Sequence, residues 1–248
     1  MAPPNSSGDP ETRREQLKEL FVQARGCVRC PELAATRKQV VFGAGNADAE
    51  LMFVGEAPGA SEDEQGVPFV GRAGKLLEGL LQEIGLERAD VFIANVLKCR
   101  PPGNRDPLPL EIENCREYLL RQVALIEPAV ICTLGNFSTK LLRGDPTGIS
   151  RLHGQPEVIE LGARAVRLYP IYHPAAALYT PRMLETLRED FARLPELLAM
   201  GAPEQPPGPA EAEAEIGREA DFEPATPDRA AGENPADEAA EADQLGLF

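Results

Sequence analysis

Four of the five cysteines are spaced so that their thiolates could surround one metal centre. Cys27 and Cys30 form a Cys-x-x-Cys pair, and Cys99 and Cys115 lie on either side of a proline-rich loop. Four thiolate ligands suit tetrahedral zinc or an iron–sulfur cluster, and the spacing does not choose between them. Cys132 lies within an apolar run and is predicted to be a buried core residue. Because five is an odd number, a disulfide framework is not expected.

An acidic, glycine-rich loop is the second feature whose residues could bind a ligand. Its twenty residues, 55–74, read GEAPGASEDEQGVPFVGRAG and follow the apolar run 51–54. Open α/β proteins bind ligands at the carboxyl edge of the sheet, and glycine allows a ligand to approach the backbone closely. The first five residues alone are typical of an ordinary surface loop. The whole segment is interpreted as a ligand-binding loop.

Three segments together resemble the family 4 uracil-DNA glycosylases, iron–sulfur enzymes that excise uracil from DNA. They are residues 55–74, NVLKCRPPGNR at 95–105 and YHP at 172–174, and the resemblance covers roughly residues 15–195. It implies a uracil-DNA glycosylase-like fold, base excision repair of single- or double-stranded DNA, and a 4Fe-4S cluster. The cluster ligands that it implies are Cys27, Cys30, Cys99 and Cys115.

The resemblance also implies how the base is bound. Phe69 matches the aromatic residue that stacks on the flipped base, and such stacking is worth about 1–3 kcal/mol. Asn95 can present a donor and an acceptor that match uracil and mismatch cytosine. His173 would donate to uracil O2 as negative charge develops on the departing base. The implied uracil-binding residues are Gly55, Glu56, Ala57, Phe69, Asn95 and His173.

The group that activates water stays open. The best-known glycosylases place an aspartate two residues after the first motif glycine, where this chain has Ala57. Glu56, Glu62 and Asp63 are the nearby carboxylates, of which Glu56 or Glu62 is favoured for orienting a water molecule, and Asn104 is a further candidate for positioning it. The motifs contain no lysine placed for Schiff-base chemistry, so a monofunctional enzyme that leaves an abasic site is predicted.

Contacts to DNA are expected from a local basic face. Lys98, Arg100 and Arg105 are predicted to form a basic surface that the cluster holds beside the pocket. The second motif departs from the family pattern, because alanines and Leu178 follow His-Pro where Ser and then Arg are usual. Arg182, further on, is the predicted phosphate contact in that region.

The apolar pattern predicts an α/β fold. Three strand candidates are each followed by a helical pattern, and this alternation is typical of a parallel sheet. With the resemblance, it predicts a three-layer αβα fold around a mostly parallel four-stranded sheet. A hairpin is predicted at 158–168, and a final helix begins at Pro181. The predicted strands are 51–54, 91–97 and 129–134, and the helices that follow them are 73–84, 109–125 and 136–143.

Composition predicts one folded domain, residues 10–200, between disordered segments at 1–9 and 201–243. The net charge is −15, of which residues 201–248 hold −11 (13 acidic residues against two arginines), so the first 200 residues carry −4. The predicted domain is therefore near neutral. No apolar run reaches the ~20 residues that span a bilayer, and a soluble, cytoplasmic monomer is expected.

The last five residues restore apolar character after the acidic segment. They resemble the QLxLF peptide by which bacterial repair and replication proteins bind the β sliding clamp. The predicted clamp-binding residues are Gln244, Leu245, Leu247 and Phe248. A chance apolar terminus is the alternative.

Three other functions compete with the enzyme. A covalent uracil-DNA trap would need a basic insert with a histidine, but residues 98–106 read KCRPPGNRD. A non-catalytic iron–sulfur DNA-binding or polymerase-accessory module would not need the residues Phe69, Asn95 and His173, which are all present. A zinc-stabilised interaction protein would be colourless.

Overall fold

Six strands form one sheet in the computed structural model, which describes residues 10–206. They are β1 (Ala44–Gly45), β2 (Leu51–Gly55), β3 (Phe92–Asn95), β4 (Val130–Leu134), β5 (Glu157–Leu161) and β6 (Arg164–Ile171). Their order in the sheet is β1-β3-β2-β4-β6-β5. The four central strands run parallel, and β1 and β5 pair antiparallel at the two edges. The predicted parallel core of four strands is confirmed, and the sheet has two edge strands in addition.

The central strands are apolar because both faces of the sheet are covered. Every residue of β2, β3 and β4 is buried, as is typical of a parallel sheet between two helical layers. The pairing of β2 with β3 sets Gly55 opposite Asn95, so two of the sequence motifs begin side by side.

Ten α-helices and one 3-10 turn complete the described residues. The helices are α1 (Pro10–Arg25), α2 (Pro31–Thr36), α3 (Ala60–Gln65), α4 (Arg72–Glu83), α5 (Pro109–Ile126), α6 (Asn136–Arg143), α7 (Ile149–Leu152), α8 (Pro174–Ala177), α9 (Pro181–Ala192) and α10 (Leu194–Ala199), and the 3-10 turn is Pro102–Asn104. One core cluster joins α1 and α5 to Met52 and Val54, and a second joins α4, α9 and α10 to Leu51 and Phe53. Alternate residues of β2 thus face opposite helical layers, which confirms the three-layer architecture.

The C-terminal part of the described chain differs in detail from the predicted single helix. The helix that begins at Pro181 ends at Ala192, and α10 begins anew with Pro195 in its first turn, where proline is tolerated. Beyond it, the side chain of Gln205 exchanges hydrogen bonds with the backbone of Ala165 at the start of β6. Residues 201–206, assigned from sequence to the linker, are therefore part of the described structure.

Several predictions from sequence lie outside the described residues. These are the segment 1–9, the linker from residue 207 onwards and the clamp-binding peptide 244–248. Within residues 10–206, no helix is both long and apolar enough to cross a membrane. Cys132 is fully buried in β4, as the apolar run predicts.

Candidate active site

A cavity of about 420 Å³ lies beyond the carboxyl ends of three parallel strands. The loop after β2, the last residue of β3 and the segment after β6 all contribute to its wall. Parallel strands bring their carboxyl ends to one edge, which is where ligands bind in such sheets. The predicted site residues that line the cavity are Glu56, Ala57, Glu62, Phe69, Asn95, Asn104, Arg105 and His173.

Asn95 presents an unpaired acceptor in this wall. Its side chain is 2% exposed, and its buried Oδ1 has no hydrogen-bond partner within the described protein. A buried polar atom without a partner costs about 1–3 kcal/mol, and native structures rarely leave one without a ligand or water to satisfy it. A bound molecule could therefore supply the hydrogen-bond donor that Asn95 Oδ1 lacks.

Gly55 lies behind the same wall and explains why glycine is needed there. A Cβ atom on residue 55 would lie 2.4 Å from Asn95 Oδ1 and 2.9 Å from two ring carbons of Phe69. Any side chain would displace both groups. The glycine thus permits the close approach of β2 to the two side chains that face the cavity.

Phe69 is held in an uncommon backbone conformation. Its φ angle is +52°, a left-handed value that costs a non-glycine residue on the order of 1–3 kcal/mol. The ring lies 5.6 Å from the His173 ring, centroid to centroid, at an interplanar angle of 29°. The strained backbone turns this aromatic face toward the cavity beside His173.

Two residues that sequence reasoning missed stabilise that conformation. The guanidinium of Arg88 donates to the carbonyl oxygen of Phe69 at 3.0 Å and to that of Pro68. Gly74 in α4 leaves room for the Phe69 carbonyl, since a Cβ there would lie 1.8 Å from its oxygen. Arg88 lies 19 positions from Phe69 and outside every motif, so no local signal marked it.

His173 is set up as a neutral hydrogen-bond donor. Its Nδ1 accepts a hydrogen bond from the backbone N–H of Ala175 at 3.1 Å. A neutral imidazole whose Nδ1 accepts carries its proton on Nε2. Burial lowers the pKa of His173 to about 4, and the nearby Glu62 carboxylate opposes this shift only in part. At neutral pH the ring therefore offers a proton without a positive charge.

The two candidate carboxylates occupy different environments. Glu62 Oε1 accepts from the backbone N–H groups of Val70 at 3.0 Å and Gly71 at 2.9 Å, directly before α4. Burial raises the pKa of Glu56, and the negative charge of Asp106 raises it further. Glu62 is thus committed in part to holding the loop that carries Phe69, whereas Glu56 has the perturbed pKa typical of a functional carboxyl group.

Asn104 also lines the cavity, from the 3-10 turn in the loop after β3. Its φ angle of +54° belongs to the left-handed region, which asparagine tolerates better than most residues. Its Oδ1 accepts from Arg100 Nε at 2.7 Å. Arg100 thereby orients the carboxamide in a strained turn that contributes to the cavity.

The prediction that Lys98 lies on a basic surface is wrong. Its side chain is 2% exposed, and Nζ donates to the Asn95 carbonyl oxygen at 2.8 Å and to Gln122 Oε1 at 2.6 Å. Burial lowers the pKa of Lys98 to about 7. The loop after β3 turns this side chain into the protein, where it bonds to Gln122 of α5.

The three arginines predicted to contact DNA differ in exposure and in ion pairing. Arg105 lines the cavity, but it donates to Glu111 and Glu32, so its charge is balanced locally. Arg100 is partly exposed, and Arg182 is exposed in the first turn of α9. Their contacts to DNA stay predictions.

Three of the four predicted cysteine ligands accept a hydrogen bond. The donors are Asn114 Nδ2 to Cys30 (3.5 Å), Arg37 Nη1 to Cys99 (3.2 Å) and the Lys98 backbone N–H to Cys115 (3.4 Å). Burial and, after it, the neighbouring Cys27 raise the pKa of the Tyr118 hydroxyl to about 12. Donors aimed at sulfur stabilise thiolates, and in iron–sulfur proteins such bonds tune the cluster. The sulfurs thus have the environment of ligands.

The cysteines also interact electrostatically with one another. Burial, with smaller contributions from Cys99 and Cys30, raises the pKa of Cys115 to about 11, although the hydrogen bond and the charge of Lys98 oppose the shift. Burial likewise raises the pKa of Cys99, with smaller contributions of the same sign from Cys27 and Cys30. Within residues 10–206, no three His, Cys, Asp or Glu side chains are arranged to hold a single metal ion. The donor set itself, four thiols of which three accept hydrogen bonds, fits a thiolate-bound cluster.

Comparison with known proteins points to one family. Residues 42–196 match the family model of the uracil DNA glycosylase superfamily. The type-4 uracil-DNA glycosylase of Archaeoglobus fulgidus is 46% identical over 193 residues, which cover 76% of this chain and 96% of that protein. That of Saccharolobus solfataricus is 47% identical over 190 residues, 75% and 88% of the two chains. That of Sulfurisphaera tokodaii is 46% identical over 188 residues, 74% and 84%.

We predict that His173 stays neutral down to a pH of about 4. The chain has two histidines, so imidazole NMR gives two titrating rings, and a His173→Gln variant assigns them. The signal that this variant loses should titrate near pH 4 and show Nε2–H at neutral pH. Because this pKa lies below the ordinary 6.5, the unfolded chain binds more protons between these values, and the contribution of His173 to the free energy of unfolding rises with pH through that window. A midpoint at or above 6.5 would contradict the assignment.

Proposed function

Because the chain belongs to the uracil DNA glycosylase superfamily, we propose that it is a type-4 uracil-DNA glycosylase, a hydrolase that flips uracil out of DNA, cleaves its N-glycosidic bond and leaves an abasic site for base excision repair. The observation that carries this proposal is the unpaired Oδ1 of buried Asn95, in a cavity walled by an aromatic ring and a neutral histidine. Extruding a nucleotide from the stack costs a few kcal/mol, and the pocket offsets this cost with stacking and base-edge hydrogen bonds.

The pocket distinguishes uracil from cytosine through hydrogen-bond polarity. Uracil stacks on Phe69, its N3–H donates to Asn95 Oδ1, and its O4 accepts from the Asn95 amide. Cytosine carries an acceptor at N3 and a donor at C4, so it would leave buried groups of Asn95 unpaired. The backbone of Gly55, Glu56 and Ala57 lines the remaining edge of the base.

His173 stabilises the leaving group. As the glycosidic bond breaks, negative charge develops on uracil, and Nε2–H donates to O2 where that charge collects. A neutral donor does not lose its proton to solvent at working pH, which fits the lowered pKa. Glu56 orients the attacking water, and Asn104 helps to position it. Glu62 supports the site by holding the loop before α4.

The proposed cofactor is a 4Fe-4S cluster held by Cys27, Cys30, Cys99 and Cys115. When bound, it supplies a covalent cross-link among the segment after α1, the loop after β3 and α5. The loop that begins at Cys99 continues to Pro101, Asn104 and Arg105, which line the cavity. Ligation therefore fixes one wall of the site, and the role of the cluster is structural.

The proposed substrate is uracil-containing DNA, single- or double-stranded. Arg100, Arg105 and Arg182 contact its phosphates, because the near-neutral body needs local cations to attract a polyanion. The protein acts as a cytoplasmic monomer.

The C-terminal residues carry a separate proposal that rests on sequence alone. Gln244, Leu245, Leu247 and Phe248 bind the bacterial β sliding clamp as a short anchor, which would raise the local concentration of the enzyme near replicating DNA. A peptide of the last ten residues should bind clamp with about micromolar affinity in calorimetry, near −8 kcal/mol. Removal of residues 244–248 should leave excision from free oligonucleotides unchanged. Absence of heat with both peptide and whole protein would refute the anchor.

The protein should release uracil from oligonucleotides, with strand cleavage appearing only after alkali. His173→Gln should slow excision by about 10²–10³-fold, the usual cost of removing a donor to developing negative charge. His153→Gln is the matched control, because His153 pairs with Asp190 and does not line the cavity.

Asn95→Asp should weaken discrimination against cytosine. A stable protein–DNA adduct would instead support a covalent trap, and binding without cleavage a non-catalytic module.

Concentrated protein prepared without oxygen should be brown and contain iron and sulfide. Cys115→Ala should lose both and unfold at lower temperature, since a ligand to a shared centre is removed. Cys132→Ala is the control, because Cys132 is buried in β4 and should retain the iron. Metal analysis decides the question, and zinc in place of iron would remove the cluster but leave the uracil pocket standing.

A further inference from the structure

A lysine is buried between the cavity and the cysteine cluster, where it serves neither as a DNA contact nor as a cluster ligand. Lys98 is among the largest side chains that are fully buried. Lysine is almost never buried without a partner, because taking an ammonium out of water costs several kcal/mol. Within residues 10–206 the structure gives its Nζ no carboxylate at ion-pair distance. Its position therefore needs another explanation.

The contacts of Nζ converge on Asn95. It donates to the Asn95 carbonyl oxygen at 2.8 Å and to Gln122 Oε1 at 2.6 Å. Gln122 is itself fully buried in α5, and its Nε2 donates to the Phe42 carbonyl oxygen at 2.9 Å. Nζ also lies 6.0 Å from the centre of the Phe42 ring, where a cation is attracted to the aromatic face. The last residue of β3 is thus tied to α5 and to the segment before β1.

These hydrogen bonds act on Asn95, whose side chain must be oriented accurately to recognise the base. The main-chain carbonyl of Asn95 is bound by Lys98, whereas its side-chain Oδ1 is left unpaired in the cavity wall. A fixed main chain sets the position of the Cα–Cβ bond from which the carboxamide projects into the cavity wall. Recognition by a donor–acceptor pair fails if the pair rotates or shifts, and a displacement of about 1 Å can cost roughly 100-fold in rate.

We propose that Lys98 and Gln122 are positioning residues, which determine the selectivity and rate of uracil excision by fixing Asn95. This inference rests on the proposed function. The two residues form a buried brace, defined here as the chain Asn95 O, Lys98 Nζ, Gln122 and Phe42 O. Cys115 precedes Gln122 by two turns in α5, so the helix that carries a cluster ligand also carries the brace. A hydrophobic replacement would avoid the cost of burying a cation, but it would leave the Asn95 carbonyl without its donor.

The test compares Lys98→Met with Arg167→Met. Methionine keeps an unbranched apolar chain of similar length. Arg167 is a matched control, since it is 8% exposed, donates to the Gly201 carbonyl oxygen at 2.8 Å and does not line the cavity. Both variants should unfold at lower temperature and keep their iron. Only Lys98→Met should lower excision and weaken inhibition by free uracil, each by roughly 10- to 100-fold.

A double-mutant cycle with Asn95→Ala decides whether Lys98 acts through Asn95. In that background, Lys98→Met should change excision by less than about twofold, because no carboxamide is left to position. Gln122→Met removes the brace from its other end and takes the place of Lys98→Met if that variant does not fold. Additive effects, behaviour like Arg167→Met, or activity lost in proportion to iron would each overturn the inference. Failure of the unmodified protein to release uracil would instead overturn the proposed function.

Discussion

The parallel register between β2 and β3 is the constraint on which the site depends. It sets Gly55 opposite Asn95, and the missing side chain of the glycine leaves room for the Asn95 carboxamide and the Phe69 ring. A shift of one residue along either strand would turn Asn95 to the other face of the sheet. The register is firmly specified because both faces of these strands are buried, so a slip would move every apolar side chain as well.

Around this register, the loop that carries Phe69 stores strain that distant contacts offset. Glu62 accepts from the amides of Val70 and Gly71, and Arg88 donates to the carbonyl oxygens of Pro68 and Phe69. The loop is bound on both sides of the strained residue by charge-assisted hydrogen bonds, which are stronger than neutral ones. A rigid aromatic wall is useful to an enzyme that must offset the cost of extruding a base, because little entropy is then lost on binding.

The polar groups buried between the cavity and the cysteines connect the uracil pocket to α5. α5 carries Cys115, which accepts from the Lys98 backbone, and Gln122, which accepts from the Lys98 side chain. Lys98 therefore contacts α5 at two points two turns apart. Buried polar networks of this kind add little net stability, but they select one arrangement of the elements they join. The structural role proposed for the cluster fits this arrangement, because both act on the same helix and on the loop after β3.

Sequence alone determined which central strands are buried and which motifs contain the residues of the site. Apolar runs identified β2, β3 and β4, although the run at 91–97 extends two residues beyond Asn95, where β3 ends. The family resemblance, and not the strand pattern, grouped Gly55, Asn95 and His173 in one site. The sequence did not reveal the edge strand β1, whose two residues are too few to show a pattern.

The tertiary structure alone decided the environment of single polar side chains. Lys98 and Arg105 are both basic residues in one loop, yet Lys98 is buried against α5, while Arg105 faces the cavity and two carboxylates. The role of Arg88 was equally hidden, since its partners are 19 and 20 positions away. Hydrophobic periodicity is a local property and is read from neighbouring residues. The partner of a buried charge comes from a distant segment, so only the packed structure shows whether a charge contacts solvent, substrate or core.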